Sequence, residues 1–275
     1  MPTVPNNTLG ITLDEFKGFE LAGIRLHDQT GKLIDDAELN RLLTEAEKWF
    51  EEKIGMKFYK KSEHPDGLLF ANVDHNDPSP PSPDVEIDKL DYDGLHFAEN
   101  RYMMVVVPWG PVLDIERIFL GYPGNISGFE ITKDRIQWRG QFRNIQVIPV
   151  LVGSVGTTLA FPTGFYPFGS VPHSISVNYR GGMSDEKVCA QYPHILRMIK
   201  TKAAIQVLNV AQNLTDPGVS SRGVSADGLS QNTSFTQSAV YGLYSATIDK
   251  FEKILDKDLQ EFDQFWNGVN TIFVA

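Results

Sequence analysis

Ser174-Ile175-Ser176-Val177-Asn178-Tyr179-Arg180-Gly181-Gly182, followed by Pro193-His194-Ile195-Leu196-Arg197-Met198-Ile199, is the stretch on which the fold turns. Its first part alternates apolar and polar residues, the period of a half-buried strand. Gly181-Gly182 ends that pattern. From Pro193 the period lengthens. Ile195, Met198, Ile199, Ala203, Val207, Val210 and Ala211 recur at helical spacing, which predicts a helix from Pro193 to Asn213. Proline suits its first position, where an N–H would have no intrahelical partner. Lys200 and Lys202 lie off the apolar stripe.

On the N-terminal side the strand pattern continues backwards. Tyr102–Val107, Val112–Leu120, Ile136–Trp138 and Asn144–Leu151 read as short strands. Tyr122-Pro123-Gly124-Asn125 and Pro162-Thr163-Gly164 are turn clusters between them. Such spacing predicts an antiparallel sheet or a small barrel. Asp74–Asp84, dense in proline, serine and aspartate, reads as an extended loop. Further back, Asp35–Ile54 is a helix, with Leu39, Leu42, Leu43, Ala46, Trp49, Phe50 and Ile54 on one stripe. Asp35 is placed to cap it, with Glu38 three residues on, and Gly55 ends it. Its other face carries Glu45, Glu47, Lys48, Glu51 and Glu52 and is expected to be solvated or to meet a polar partner. Leu13, Phe16 and Phe19 suggest a short helix that Gly18 and Gly23 weaken.

On the C-terminal side, Thr215–Gln237 is poor in large apolar residues and reads as an irregular connector. A third helix is expected over Ser238–Asn267. Tyr241, Tyr244, Ile248, Phe251, Leu255, Leu259, Phe262 and Trp266 step by three or four along it, with Asp and Lys opposite. Such a seam has to be buried, because each large apolar side chain gains about 1.5–3 kcal/mol on burial. Thr271–Val274 is a short apolar tail. The expected fold is therefore α+β: a discontinuous helical bundle from 1–60 and 186–275, with an antiparallel sheet or small barrel inserted at 61–185.

The chain has 275 residues and a formal net charge of -10, which argues against tight non-specific binding to nucleic acid. Its single cysteine, Cys189, excludes an intrachain disulfide. Met1–Gly10 has neither the basic nor the apolar region of a signal peptide. No apolar run approaches the length of a membrane span. The sequons at Asn125 and Asn213 matter only in a secreted chain.

Chemistry-bearing motifs are sparse. There is no dinucleotide fingerprint and no phosphate-binding loop, so no cofactor is expected. Gly153-Ser154-Val155-Gly156 resembles a nucleophile elbow only loosely and sits in a strand-and-turn context. Cys189 and His194 are close in sequence, but a catalytic pair needs hydrogen-bond reach. His64, Asp66, Asp74, His75 and Asp77 have metal-ligand chemistry in a spacing that fits neither a structural zinc site nor a calcium loop, so no metal is expected. The acidic and basic residues of the third helix read as a solvated face with local ion pairs. Paired carboxylates of a carbohydrate-active enzyme remain an alternative. So does a receptor- or glycan-binding role for Phe161, Phe165, Tyr166 and Phe168.

Three stretches resemble the bacteriophage head–tail connector family, the adaptor or head-completion proteins that bind the portal. They are the helix Leu39–Ile54 running on to Gly55 and Phe58, the segment Val105-Val106-Val107-Pro108-Trp109-Gly110-Pro111-Val112, and the strand–glycine–proline–helix series of Ile175–Ile199. Ser225–Gln231 is similar to connector segments of large tailed phages. The resemblance implies a non-enzymatic virion protein of the neck. It implies a homo-oligomeric ring of about twelve copies that binds the portal and docks the next neck or tail protein. DNA would pass through the ring without specific binding, and no membrane would be involved. On that reading Tyr241, Tyr244, Ile248, Phe251, Leu255, Leu259, Phe262 and Trp266 are the candidates for contact with a neighbouring subunit or the portal. Asp227, Gly228, Leu229, Ser230 and Gln231 are the docking-loop candidates.

Overall fold

The computed structural model describes residues 7–24, 26, 34–72, 82–93, 103–121, 129–140, 143–147, 170–215, 221–226, 229–234 and 244–267. The fold is mixed α+β. Two compact units are present, one formed by Met1–Ile54 with Lys187–Ala275 and the other by Gly55–Glu186.

In the first unit, α1 is Leu13–Phe19 and α2 is Asp36–Ile54. Thr12 caps α1, its hydroxyl accepting from the Glu15 N–H at 3.3 Å. Gly18 therefore lies inside a helix that nonetheless forms, because Leu13 and Phe16 are buried beneath it. The apolar stripe of α2 is inside, with Leu39, Leu43, Ala46 and Phe50 at 0–1% exposure. After α3, Asp185–Gln191, which spans the boundary between the units, α4 runs over Pro193–Thr215 and α5 over Ser245–Asn267. Helix α4 packs against both α2 and α5. That position explains its composition: Ile195, Ile199, Ala203, Ala204, Val207, Leu208 and Ala211 all have 0% exposure. The small alanines let the neighbouring helices approach. The expected start of the third helix, 238–243, lies outside the described residues.

Between α4 and α5 the sequence reading is corrected. In place of an irregular connector there is an antiparallel pair, β12 (Ser221–Ala226) and β13 (Leu229–Ser234). Thr215 itself is the last residue of α4.

The second unit is built on strands. Its largest sheet has β10 (Ser170–Gly181) at the centre. One edge of β10 pairs with β6 (Val112–Leu120), which in turn pairs with β7 (Phe129–Ile131). The other edge is shared end to end by β4 (Leu90–Asp93) and β2 (Leu68–Ala71), and β3 (Val85–Glu86) lies outside β2. Asn72 fills the junction between β4 and β2. Its Oδ1 accepts from the Val177 N–H at 3.0 Å and the Ser176 hydroxyl at 2.9 Å, and its Nδ2 donates to the Ile87 carbonyl at 2.5 Å. A second sheet joins β5 (Met103–Val106), β9 (Asn144–Val147) and β8 (Ile136–Trp138).

Side chains from both sheets share one core, including Phe70, Ile115, Ile118, Val177 and Tyr179 from the first and Met103, Val105, Ile145 and Val147 from the second. Tyr179 stacks on Phe70 at 4.8 Å and donates its hydroxyl proton to the Trp109 carbonyl at 2.8 Å. The expected antiparallel arrangement needs one correction: β2–β3 is parallel, as is the separate pair β1 (Phe58–Tyr59) with β11 (Met183–Ser184). Gly182, at φ 95°, turns the chain between β10 and β11 while its N–H donates to the Pro111 carbonyl at 3.0 Å. A left-handed φ of that kind is open to glycine at little cost.

Candidate functional site

The apolar seam of α5 is largely covered by this chain's own helices. Ile248 and Leu259 are 8% exposed, Leu255 5% and Phe262 4%. Phe262 lies against Phe50 of α2 at 5.9 Å and against the His194 ring of α4 at 5.5 Å. Arg197 of α4 reaches Asp258 at 2.7 Å, tying the same two helices at the surface. Tyr244 and Phe251 are half-buried. Tyr241 and the side chain of Trp266 lie outside what the structure describes. Ile248, Leu255, Leu259 and Phe262, named as candidates for contact with a neighbouring subunit or the portal, are thus buried without one. Their burial is already supplied within the unit. Among the described side chains of this helix the exposed large apolar one is Ile254, which the seam pattern does not include.

Of the docking-loop candidates, Leu229, Ser230 and Gln231 belong to β13 and face Ala226, Ser225 and Val224 of β12. Asp227 and Gly228 lie outside the described residues. The signal for this hairpin was in the sequence: Asp-Gly is a strong two-residue turn dipeptide. Its flanks, however, lack the apolar alternation that marks a strand.

Two buried polar constellations have no counterpart in the sequence reading. Glu47, on the face expected to be solvated or to meet a polar partner, is 4% exposed, and Glu51 is 7% exposed. The Glu47 carboxylate accepts from the Thr8 N–H at 3.0 Å and the Leu9 N–H at 3.3 Å. It thereby holds the segment ahead of α1 onto α2. Asn7 locks that segment internally, donating to the Ile11 carbonyl at 2.8 Å and accepting from the Ile11 N–H at 2.7 Å. Burial raises the Glu47 carboxyl above its ordinary pKa, against the lowering effect of the Thr8 and Leu9 hydrogen bonds. Lys200, expected off the buried stripe, is 9% exposed. Its ammonium sits 2.7 Å from Glu15 and 3.6 Å from Glu20. Burial likewise raises the Glu20 carboxyl, and Lys200 opposes the shift. Lys202, by contrast, is half-buried with its ammonium 4.5 Å from the centre of the Trp49 ring.

His64 lies 3.5 Å from Asp84, while Asp74, His75 and Asp77 lie outside the described residues. Among the described residues no group of three or more His, Cys, Asp or Glu is arranged to hold a metal ion. Cys189 is exposed on α3. His194 makes an edge contact with Tyr192 at 5.9 Å, and its imidazole is held below the ordinary pKa by burial and by Arg197. Gly153–Gly156 and Phe161–Phe168 lie outside the described residues. Among the described residues no helix is long and apolar enough to cross a membrane.

No protein-family model matches the chain. No curated protein matches it either.

Proposed function

We propose that this chain is a structural virion protein of a tailed bacteriophage, a head–tail connector that forms a ring on the portal. In that role it extends the DNA channel and docks the next neck or tail protein. The observation that carries the reading is the way the chain is divided. A helical unit made from both ends of the chain is interrupted after Ile54 by a complete strand-built unit and resumes at Lys187. Two of the three stretches resembling the connector family cross its boundaries, α2 leading into β1 and β10 leading through Gly182 to α4; the third, β5 leading into β6, lies within the strand-built unit. We read the fold in these terms as a discontinuous helical bundle with an inserted, mainly antiparallel β region. The negative net charge of -10 is compatible with a channel that DNA passes without adhering.

Electron microscopy of the purified chain, alone and with the portal protein of the same virus, tests this. Closed rings, free or seated on the portal, are the expected result. A chain that stays monomeric and does not bind the portal overturns the reading.

A further inference from the structure

β12 and β13 form a sheet of two strands and pair with no third strand among the described residues. Their pairing runs without a break over six residue pairs, from Ser221 opposite Ser234 to Ala226 opposite Leu229. Only Asp227 and Gly228 separate the strands. With a two-residue connection the closing pair, Ala226 and Leu229, exchanges both backbone hydrogen bonds. Alternation then turns the backbone groups of Ser221, Gly223 and Ser225 out from one edge. It turns those of Ser230, Asn232 and Ser234 out from the other.

A two-stranded ribbon standing alone is marginally stable in water. Edges that are meant to stay free are guarded by shortness, proline, lysine or a bulge. Two edge strands of the large sheet carry such guards. β3 has two residues and follows Pro83, and β7 has three residues, with Glu130 paired to Arg117 at 3.2 Å. β12 and β13 carry none. Neither contains Pro, Lys, Asp or Glu, their register is unbroken, and Arg222 is their one charged residue.

We propose that the hairpin is an assembly element whose β13 edge pairs with the β12 edge of the hairpin of a second copy of this chain. The same element supplies both halves of the contact. When neighbouring hairpins point the same way, as around a ring, β13 of one copy meets β12 of the next in antiparallel sense. The contact is heterologous and closes by rotation. Closure produces an up-and-down barrel of two strands per copy, which leaves no edge. Closure rests on the ring reading above; pairing between two hairpins does not.

Two double variants of the full chain test the pairing. Ser225→Pro with Asn232→Pro removes one outward N–H from each edge and leaves the inner ladder intact. Ser225→Lys with Asn232→Lys keeps every backbone donor and places like charges across the joint. Sedimentation velocity reads assembly, and amide hydrogen exchange reads protection over residues 221–234. Both variants are expected to weaken assembly by about tenfold or more and to lose the protection that assembly confers. The thermal midpoint of the dissociated chain should not change. Variants that assemble and protect the hairpin as the wild type does overturn the proposal; closed rings in them leave the connector reading standing. A wild type that assembles through the hairpin only into dimers or open chains supports the pairing and overturns the ring. A wild type monomeric even at high concentration overturns the pairing.

Discussion

At the scale of single residues, the carboxylate of Glu47 and the ammonium of Lys200 hold the start of the chain to its helices. Glu47→Ala would leave the Thr8 and Leu9 N–H groups without their acceptor. The expected cost is about 1–3 kcal/mol, read as a lower urea midpoint. The pH dependence has a definite sign. Because burial raises the Glu47 carboxyl above 4.5, the native state binds its proton more readily than the unfolded chain does. The contribution of this group to stability therefore falls as pH rises from the unfolded value through the raised native one. Glu47→Gln should remove that downward slope; an unchanged urea-stability profile across the window would refute the assignment. Lys200→Met takes the cation away from Glu15 and Glu20, leaving the largely buried Glu20 uncompensated. A loss of about 3 kcal/mol is expected at neutral pH, shrinking in acid as the carboxylates protonate. Denaturant titrations at the two extremes of pH measure the difference.

At the scale of elements, α5 is where periodicity and packing have to be separated. Its seam pattern predicts that a face is buried, and Leu255 and Phe262 are buried, Phe262 against Phe50 of α2 and His194 of α4. Leu255→Ala and Phe262→Ala should therefore each cost about 2–5 kcal/mol of folding stability. That loss should not depend on protein concentration. Variants that unfold as the wild type does and lose only assembly would show that these side chains serve an interface. β10 illustrates the reverse case, an element longer than its pattern. Alternation begins at Ser174, yet the strand starts at Ser170. His173 adopts φ 50°, and the register with β4 shifts between Val171 and Ile175. Through such an irregularity, pairing continues while alternation does not.

At the scale of the whole molecule, the excess of 35 acidic over 25 basic residues makes a testable statement about DNA. The assembled protein should not retard double-stranded DNA in a gel at about 0.15 M salt, because few released counterions would drive binding. Retention that weakens steeply with added salt would count against a channel that DNA simply traverses. The helical and strand-built character of the two units was legible in the sequence. Both periodicities are local, and α2, α4, β6 and β8 lie close to the spans their patterns predict. Buried charge was not legible. Glu47 meets Thr8 at a separation of 39 residues and Lys200 meets Glu15 at a separation of 185, and no local pattern encodes such a partner. The β12–β13 pairing was not legible, because its small polar strands lack apolar alternation.

The sequence by itself determined that segments such as α2, α4, β6 and β8 are helices and strands, and which face of the long helices is apolar. Side-chain period and backbone preference act over a few residues. Tertiary structure alone decided what covers each face. It set α4 between α2 and α5, carried both sheets of the strand unit onto one core, and placed Asn72 in the gap between β4 and β2. The hydrophobic effect demands burial without naming a partner. The partner is chosen by chain segments far apart in sequence that meet only in the folded state.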